Sequence, residues 1–149
     1  TIGAFPGAIP PLGGWAAATG SLSFEAGILF LILFIWQHPH FYAIAWMLRE
    51  DYKLGGFKML PVVEPDGERM FRHILWYSFM LIPVSLVPVM IGMSGAIYCV
   101  GTLIAGILLL MISRKFALSK STLDARKLLR ATVLYLPVLL YLIVIDATF

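Results

Sequence analysis

Long apolar stretches alternate with short polar or charged segments along this chain. Five of these stretches, at residues 2–18, 24–48, 74–93, 95–113 and 131–145, approach the length of a membrane-crossing helix, which needs about 20 apolar residues. The last is short, and Asp146 and Phe149 would extend it to the membrane interface. Soluble helices buried in a core also read as apolar, but five in succession with almost no charge argue against that. The pattern predicts an all-α, polytopic membrane bundle with five transmembrane helices.

Composition agrees. Of 149 residues, 60% are hydrophobic and 13% are charged, about half the usual charged share. Mean hydropathy is +0.91. These values exclude a disordered chain and a nucleic-acid module. The net charge of +3 matters less than its distribution. Arg49, Lys53, Lys58, Arg69 and Arg72 fall between the second and third stretches. Arg114, Lys115, Lys120, Arg126, Lys127 and Arg130 fall between the fourth and fifth. Two crossings separate these connections, so both face one side of the membrane. The other connections, at 19–23 and at Ser94, have no Lys or Arg. The positive-inside rule places the basic side in the cytoplasm or a mitochondrial matrix. The expected organisation is one domain over 1–149, with a loop or cap at 49–73 and a basic loop at 114–130. The basic loop is expected to touch anionic lipid.

The first stretch contains Pro6, Pro10 and Pro11. Each removes a backbone donor, so the helix is expected to bend or break. Freed carbonyls must then be satisfied by protein or by a wet cavity. Gly3 and Gly7 form a small-x-x-x-small pair suited to close helix contact. Ser23 is a plausible N-cap, with Glu25 favouring the positive end of its helix. Cys99 stands alone in an apolar run and reads as a packing residue. The chain begins at Thr1 without a signal sequence, and is expected to be the C-terminal part of a longer protein.

The richest chemistry lies at the end of the second stretch, from Trp36-Gln37-His38-Pro39-His40-Phe41 to Arg49-Glu50-Asp51-Tyr52-Lys53, followed by Gly55-Gly56 as a helix stop. Glu50 and Asp51 are hard oxygen donors suited to Mg²⁺, which is commonly held by one or two carboxylates plus substrate phosphates. Arg49, Lys53 and Lys58 are near enough to neutralise phosphate. A solvated helix end with mixed charges is the plainer reading. The helix is expected to carry Arg49, Glu50 and Asp51 at its cytoplasmic end, so His40 and Asp51 lie roughly 20° apart around its axis, with the histidine roughly 16 Å deeper. Intramembrane histidines are functional candidates, and His40 is suited to iron ligation, acceptor orientation or proton relay. His38 faces elsewhere, so a shared metal is not expected. His73 reads as an ordinary loop residue. Pro65-Asp66-Gly67 reads as a tight turn, with Glu64 and Glu68 solvated beside it. Walker, nucleophile-elbow, Cys/His zinc and dinucleotide motifs are missing from the sequence.

Taken together, these residues resemble a known family. The segments are Gly3-Ala4-Phe5-Pro6-Gly7-Ala8-Ile9-Pro10-Pro11-Leu12-Gly13-Gly14-Trp15, Pro39-His40-Phe41, Arg49-Glu50-Asp51-Tyr52, Gly55-Gly56 and Met59-Leu60-Pro61-Val62-Val63. Their order and spacing are similar to those of the haem O synthases (protohaem IX farnesyltransferases) of the UbiA superfamily of intramembrane prenyltransferases. The resemblance covers essentially the whole chain, as the C-terminal five helices of a nine-helix fold.

The resemblance implies transfer of a farnesyl group from farnesyl diphosphate to a vinyl group of haem b, with water addition giving haem O for terminal oxidases. It implies Mg²⁺ as cofactor, haem b as substrate, and a multi-pass protein of the bacterial cell membrane or mitochondrial inner membrane. Its active site would face the cytoplasm or matrix. A haem A synthase or terminal oxidase assembly would be a further partner. Asp51 and Glu50 match the second acidic motif at the Mg²⁺–diphosphate site. Arg49 and Lys53 would assist the diphosphate, and His40 matches the histidine of the Pro-His-Phe motif. The face it shares with Asp51, not the resemblance, leads to the expectation that it acts on the acceptor side. The superfamily's Asp-x-x-x-Asp spacing is not kept, since Met47 and Gly55 flank Asp51 at four residues. The first acidic motif is expected before Thr1, so this stretch alone is expected to be inactive. A prenyltransferase acting on a quinone precursor or chlorin, and a non-catalytic haem-binding membrane protein, are the competing readings.

Overall fold

The computed structural model of the chain describes residues 4–146. Gly3 and Phe149 lie outside them. The described residues form helices and connections, with no strand. The helices are α1 (Ala4–Gly7), α2 (Pro10–Thr19), α3 (Phe24–Met47), α4 (Arg49–Leu54), α5 (Leu60–Val63), α6 (Glu68–Met90), α7 (Ala96–Ser119) and α8 (Thr122–Asp146). Four of them, α3, α6, α7 and α8, are long and apolar enough to cross a membrane. The predicted all-α membrane architecture therefore holds.

The first expected span differs in form. It is divided between α1 and α2, with the break at Ala8–Ile9 just before Pro10 and Pro11. The prolines act as expected, and a carbonyl in the short first helix finds a protein partner. The Gln37 side-chain amide of α3 donates to the Ala4 carbonyl at 2.7 Å. Phe5 packs its ring 5.3 Å from that of Phe34. Gly7 permits this approach, because a Cβ there would lie 2.6 Å from the Gln37 amide oxygen.

The long helices form a ring in which α3 packs against α6 and α8, and α7 against the same two. Its centre is apolar. Ile32, Met70, Ile74, Leu81, Leu109, Leu128 and Leu139 have almost no accessible surface. Several small polar side chains in the ring are paired, as an apolar interior favours. Ser78 and Ser113 join α6 to α7 at 2.8 Å. The Tyr98 hydroxyl donates to the Ser85 carbonyl at 2.8 Å, and that of Tyr135 to the Ser85 hydroxyl at 2.9 Å.

Hydrogen bonds show that both basic connections share one end. The Trp46 indole of α3 donates to the Lys120 carbonyl at 3.1 Å. Lys120 Nζ in turn donates to the Asp66 carbonyl at 2.9 Å. The segments expected as loops are largely helical. Residues 49–73 contain α4, α5 and the start of α6, while 114–130 are the ends of α7 and α8 joined through Lys120 and Ser121. Lys120 takes the left-handed conformation that closes α7, with φ 51°. Ser121 caps α8 by accepting from the Asp124 amide at 3.1 Å. Asp124 accepts from the hydroxyls of Ser119 at 2.7 Å and Ser121 at 3.2 Å.

At the opposite end, Asp146 does more than sit at an interface. Its carboxylate accepts from the backbone amides of Gly95 and Tyr98, capping the start of α7 from the last turn of α8. Asp146→Ala is therefore expected to lower stability by about 1–2 kcal/mol. Thermal unfolding in detergent, with Asp146→Asn as partial replacement, checks this.

Candidate active site

The carboxylates are placed by a break in the second expected span. Helix α3 ends at Met47, and Leu48 adopts φ −102° and ψ 17° before the chain resumes as α4. The Arg49 guanidinium folds back to donate to the Trp46 carbonyl at 2.9 Å. It also lies 4.6 Å from the centre of the Trp46 ring, a cation–π contact. Its Nε is 3.7 Å from Glu50 Oε1. Trp46 is buried against Phe71, with ring centroids 4.8 Å apart, so the break is held by an anchored aromatic residue.

Glu50 and Asp51 occupy the first turn of α4, and both are exposed. Lys53 and Lys58 are exposed on the same segment. After α4 the chain reverses as the Gly55-Gly56 pair predicts. Gly56 has φ 72°, and the Phe57 amide donates to the Tyr52 carbonyl at 2.9 Å, as in a Schellman stop. Pro61 of α5 is buried. The predicted turn at Pro65-Asp66-Gly67 closes with the Gly67 amide donating to the Glu64 carbonyl at 2.9 Å. Glu64 is less free than expected, because it pairs with Arg69.

The donor set suits a hard divalent cation but is incomplete as a cage. Glu50 and Asp51 supply two adjacent carboxylates. Among the described residues no group of three or more His, Cys, Asp or Glu is gathered to hold a metal. Such a pair matches Mg²⁺, which takes its remaining ligands from phosphate oxygens and water.

The histidines separate as expected. His38 faces α6, with its ring stacked 3.9 Å from that of Tyr77. Its Nδ1–H donates to the Phe34 carbonyl at 2.7 Å. His40 faces α8, where Nδ1 lies 3.0 Å from the Thr132 hydroxyl. That hydroxyl donates its hydrogen to the Leu129 carbonyl at 2.7 Å, so His40 Nδ1 is the donor in its contact. The His40 ring also stacks on Trp36 at 4.9 Å, and the Trp36 indole donates to the Thr132 carbonyl at 2.7 Å.

The shared stripe of His40 and Asp51 requires one continuous helix, and the break at Leu48 removes that premise. The structure instead clamps His40 between α3 and α8. His73, which reads as ordinary in the sequence, lies in the first turns of α6, not in a loop. Its Nδ1 is 3.3 Å from the Tyr42 hydroxyl.

The sequence profile of the UbiA prenyltransferase family matches residues 1–142. Among curated relatives, a protoheme IX farnesyltransferase of Solibacter usitatus is 51% identical over 146 residues, covering 98% of this chain and 50% of the relative. That of Koribacter versatilis is 46% identical over 155 residues, covering 99% and 50%. That of Gloeobacter violaceus is 45% identical over 152 residues, covering 99% and 48%. The chain thus spans about half the length of these relatives. No solved structure matches it. With its apolar helices, its carboxylate-bearing α4 and this match over nearly its full length, the chain belongs to the UbiA prenyltransferase family.

Proposed function

We propose that the protein transfers a farnesyl group from farnesyl diphosphate to a vinyl group of haem b, forming haem O. The observation that carries this reading is the identity of 41–51% to relatives named protoheme IX farnesyltransferase. The exposed carboxylates and cations of α4 and the segment after it supply a diphosphate end.

In the reaction, the allylic C–O bond breaks and its electron pair leaves with diphosphate. The vinyl terminal carbon attacks the farnesyl carbon. The resulting cation beside the pyrrole takes oxygen from water, which then loses a proton. Glu50 and Asp51 would hold Mg²⁺, which offsets negative charge as diphosphate departs. Arg49, Lys53 and Lys58 supply positive charge to the same group. Arg49 is partly engaged with Trp46 and Glu50, so its share requires it to turn outward. The four long helices provide an apolar setting for the prenyl tail and porphyrin. The reading places the carboxylate end in the cytoplasm, or in the matrix for a mitochondrial protein.

Extracting haems and quinones from cells that express the full-length protein, and comparing their masses with those of a deletion strain, tests the reading. Gain of hydroxyethylfarnesyl haem is the expected result. A prenylated quinone precursor or chlorin in its place would move the acceptor assignment. Haem uptake without any prenylated product would favour the binding protein.

A further inference from the structure

A groove between α6 and α7 at the basic end takes no part in the diphosphate site above. It encloses about 920 Å³, within the usual size of small-molecule sites. Trp76 and Phe79 on α6 and Leu110 on α7 give it apolar walls, while Arg72 and Lys120 border it with a single acid, Glu68. His73 also lines it, whereas His38 and His40 do not.

Each of these features has a use for a flat apolar ring system with two carboxylates on one edge and a metal at its centre. Arg72 is exposed and forms no ion pair among the described residues. Lys120 Nζ gives one hydrogen bond, to Asp66, and lies 5.5 Å from the centre of the Phe71 ring. An ammonium has three donors, so further donors remain. The two cations outnumber Glu68. The hydroxyl of Tyr42 fixes His73 through Nδ1 at 3.3 Å. When Nδ1–H is the donor there, the Nε2 lone pair is left for a metal, the usual support for a ligating histidine. An anionic phospholipid would use the cations and the apolar walls, but would leave His73 and Tyr42 without a role.

We propose that this groove is the docking site for haem b, with His73 Nε2 on the iron, Arg72 and Lys120 on the propionates, and Trp76 and Phe79 beside the porphyrin. The inference rests on the proposed haem-directed function and names the acceptor site for it.

The test is a haem b titration of the full-length protein in phosphatidylcholine nanodiscs, followed by the Soret band and axial-ligand spectrum. The wild type is expected to show saturable one-to-one uptake with a histidine-ligand signature. His73→Leu and His73→Gln are expected to lose the signature and bind at least tenfold more weakly. Arg72→Gln is expected to weaken binding several-fold with the signature kept, and Tyr42→Phe to shift the spectrum while preserving the fold. His40→Leu is expected to keep the signature. Circular dichroism checks that each variant is folded.

An unchanged spectrum in folded His73 variants, or loss of the signature in His40→Leu alone, overturns the inference and leaves the haem-directed reading standing. Absence of haem uptake, with phosphatidylglycerol retained by the wild type and released by Arg72→Gln, overturns it in favour of a lipid headgroup. The haem-directed reading itself fails separately, if the product masses from the full-length protein show no farnesylated haem.

Discussion

Asp51→Asn in the full-length protein is expected to reduce farnesyl transfer by about 10²–10³-fold, the scale of losing one preorganised charge contact to a transition state. The exchange keeps the shape of the side chain and removes the anionic donor. Asp51 is exposed on α4 and its side chain forms no hydrogen bond or ion pair among the described residues, so folding is not expected to suffer. Haem O formation measured against Mg²⁺ concentration gives the decisive readout. A Mg²⁺ requirement that rises in Asp51→Asn and in Glu50→Gln supports a shared ion. Equal loss at every Mg²⁺ concentration points instead to direct handling of the substrate. Undiminished transfer in Asp51→Asn would remove this carboxylate from the mechanism.

Gly67→Val is expected to cost about 2–5 kcal/mol. Two effects add. Gly67 stands at the entry to α6 with φ 66°, where a β-branched residue is strained by about 1–2 kcal/mol. A Cβ there would also lie 2.7 Å from Trp46 and 2.8 Å from Phe71. Both rings are buried, so relief must come from moving packed aromatics, with overpacking typically worth about 1–3 kcal/mol. Thermal unfolding in detergent reads the total. The displacement would pass through Trp46 to Arg49, so a shift in diphosphate affinity is expected with the loss of stability. Gly67→Ala keeps the backbone strain and the Cβ contacts with both rings, so the difference between the two variants isolates what the branching methyl groups add.

The parts of this molecule legible in the sequence depend on averages or on local covalent chemistry. Apolar run lengths located the long helices, because any spanning helix must satisfy the same thickness. The two basic connections belong to one end by parity of crossings, and the Trp46–Lys120–Asp66 contacts put them together. Pro10 and Pro11 announced the break in the first stretch because a missing amide needs no distant partner to act. The Gly55-Gly56 stop was legible for the same local reason.

The break at Leu48 was not legible. No proline or glycine marks it, and it depends on Trp46 being seated against Phe71, a residue 25 positions away, while Arg49 takes the Trp46 carbonyl. The cap from Asp146 onto Gly95 spans 51 positions, so neither residue looks special alone. His40 stands out in the sequence because it sits in an apolar run beside proline. The contacts that occupy it come from α8, 92 positions on. His73 looked ordinary because charges surround it, although those charges line a groove once α7 lies alongside. Ser121 with Asp124 is a local signal, since Ser-x-x-Asp at a helix start is close to a capping box.

The carboxylate of Asp146 and the serine–aspartate cluster at Ser119, Ser121 and Asp124 lie at opposite ends of the α7–α8 hairpin. Fastened at both ends, the two helices are locked in register. Sliding one past the other by a single turn, about 5.4 Å, would strand the Asp146 carboxylate away from the amides it caps. This hairpin should therefore move as one rigid beam. Any rearrangement that admits a bulky substrate is left to the junctions at Leu48 and Gly56, where the backbone already turns without a continuous helical ladder.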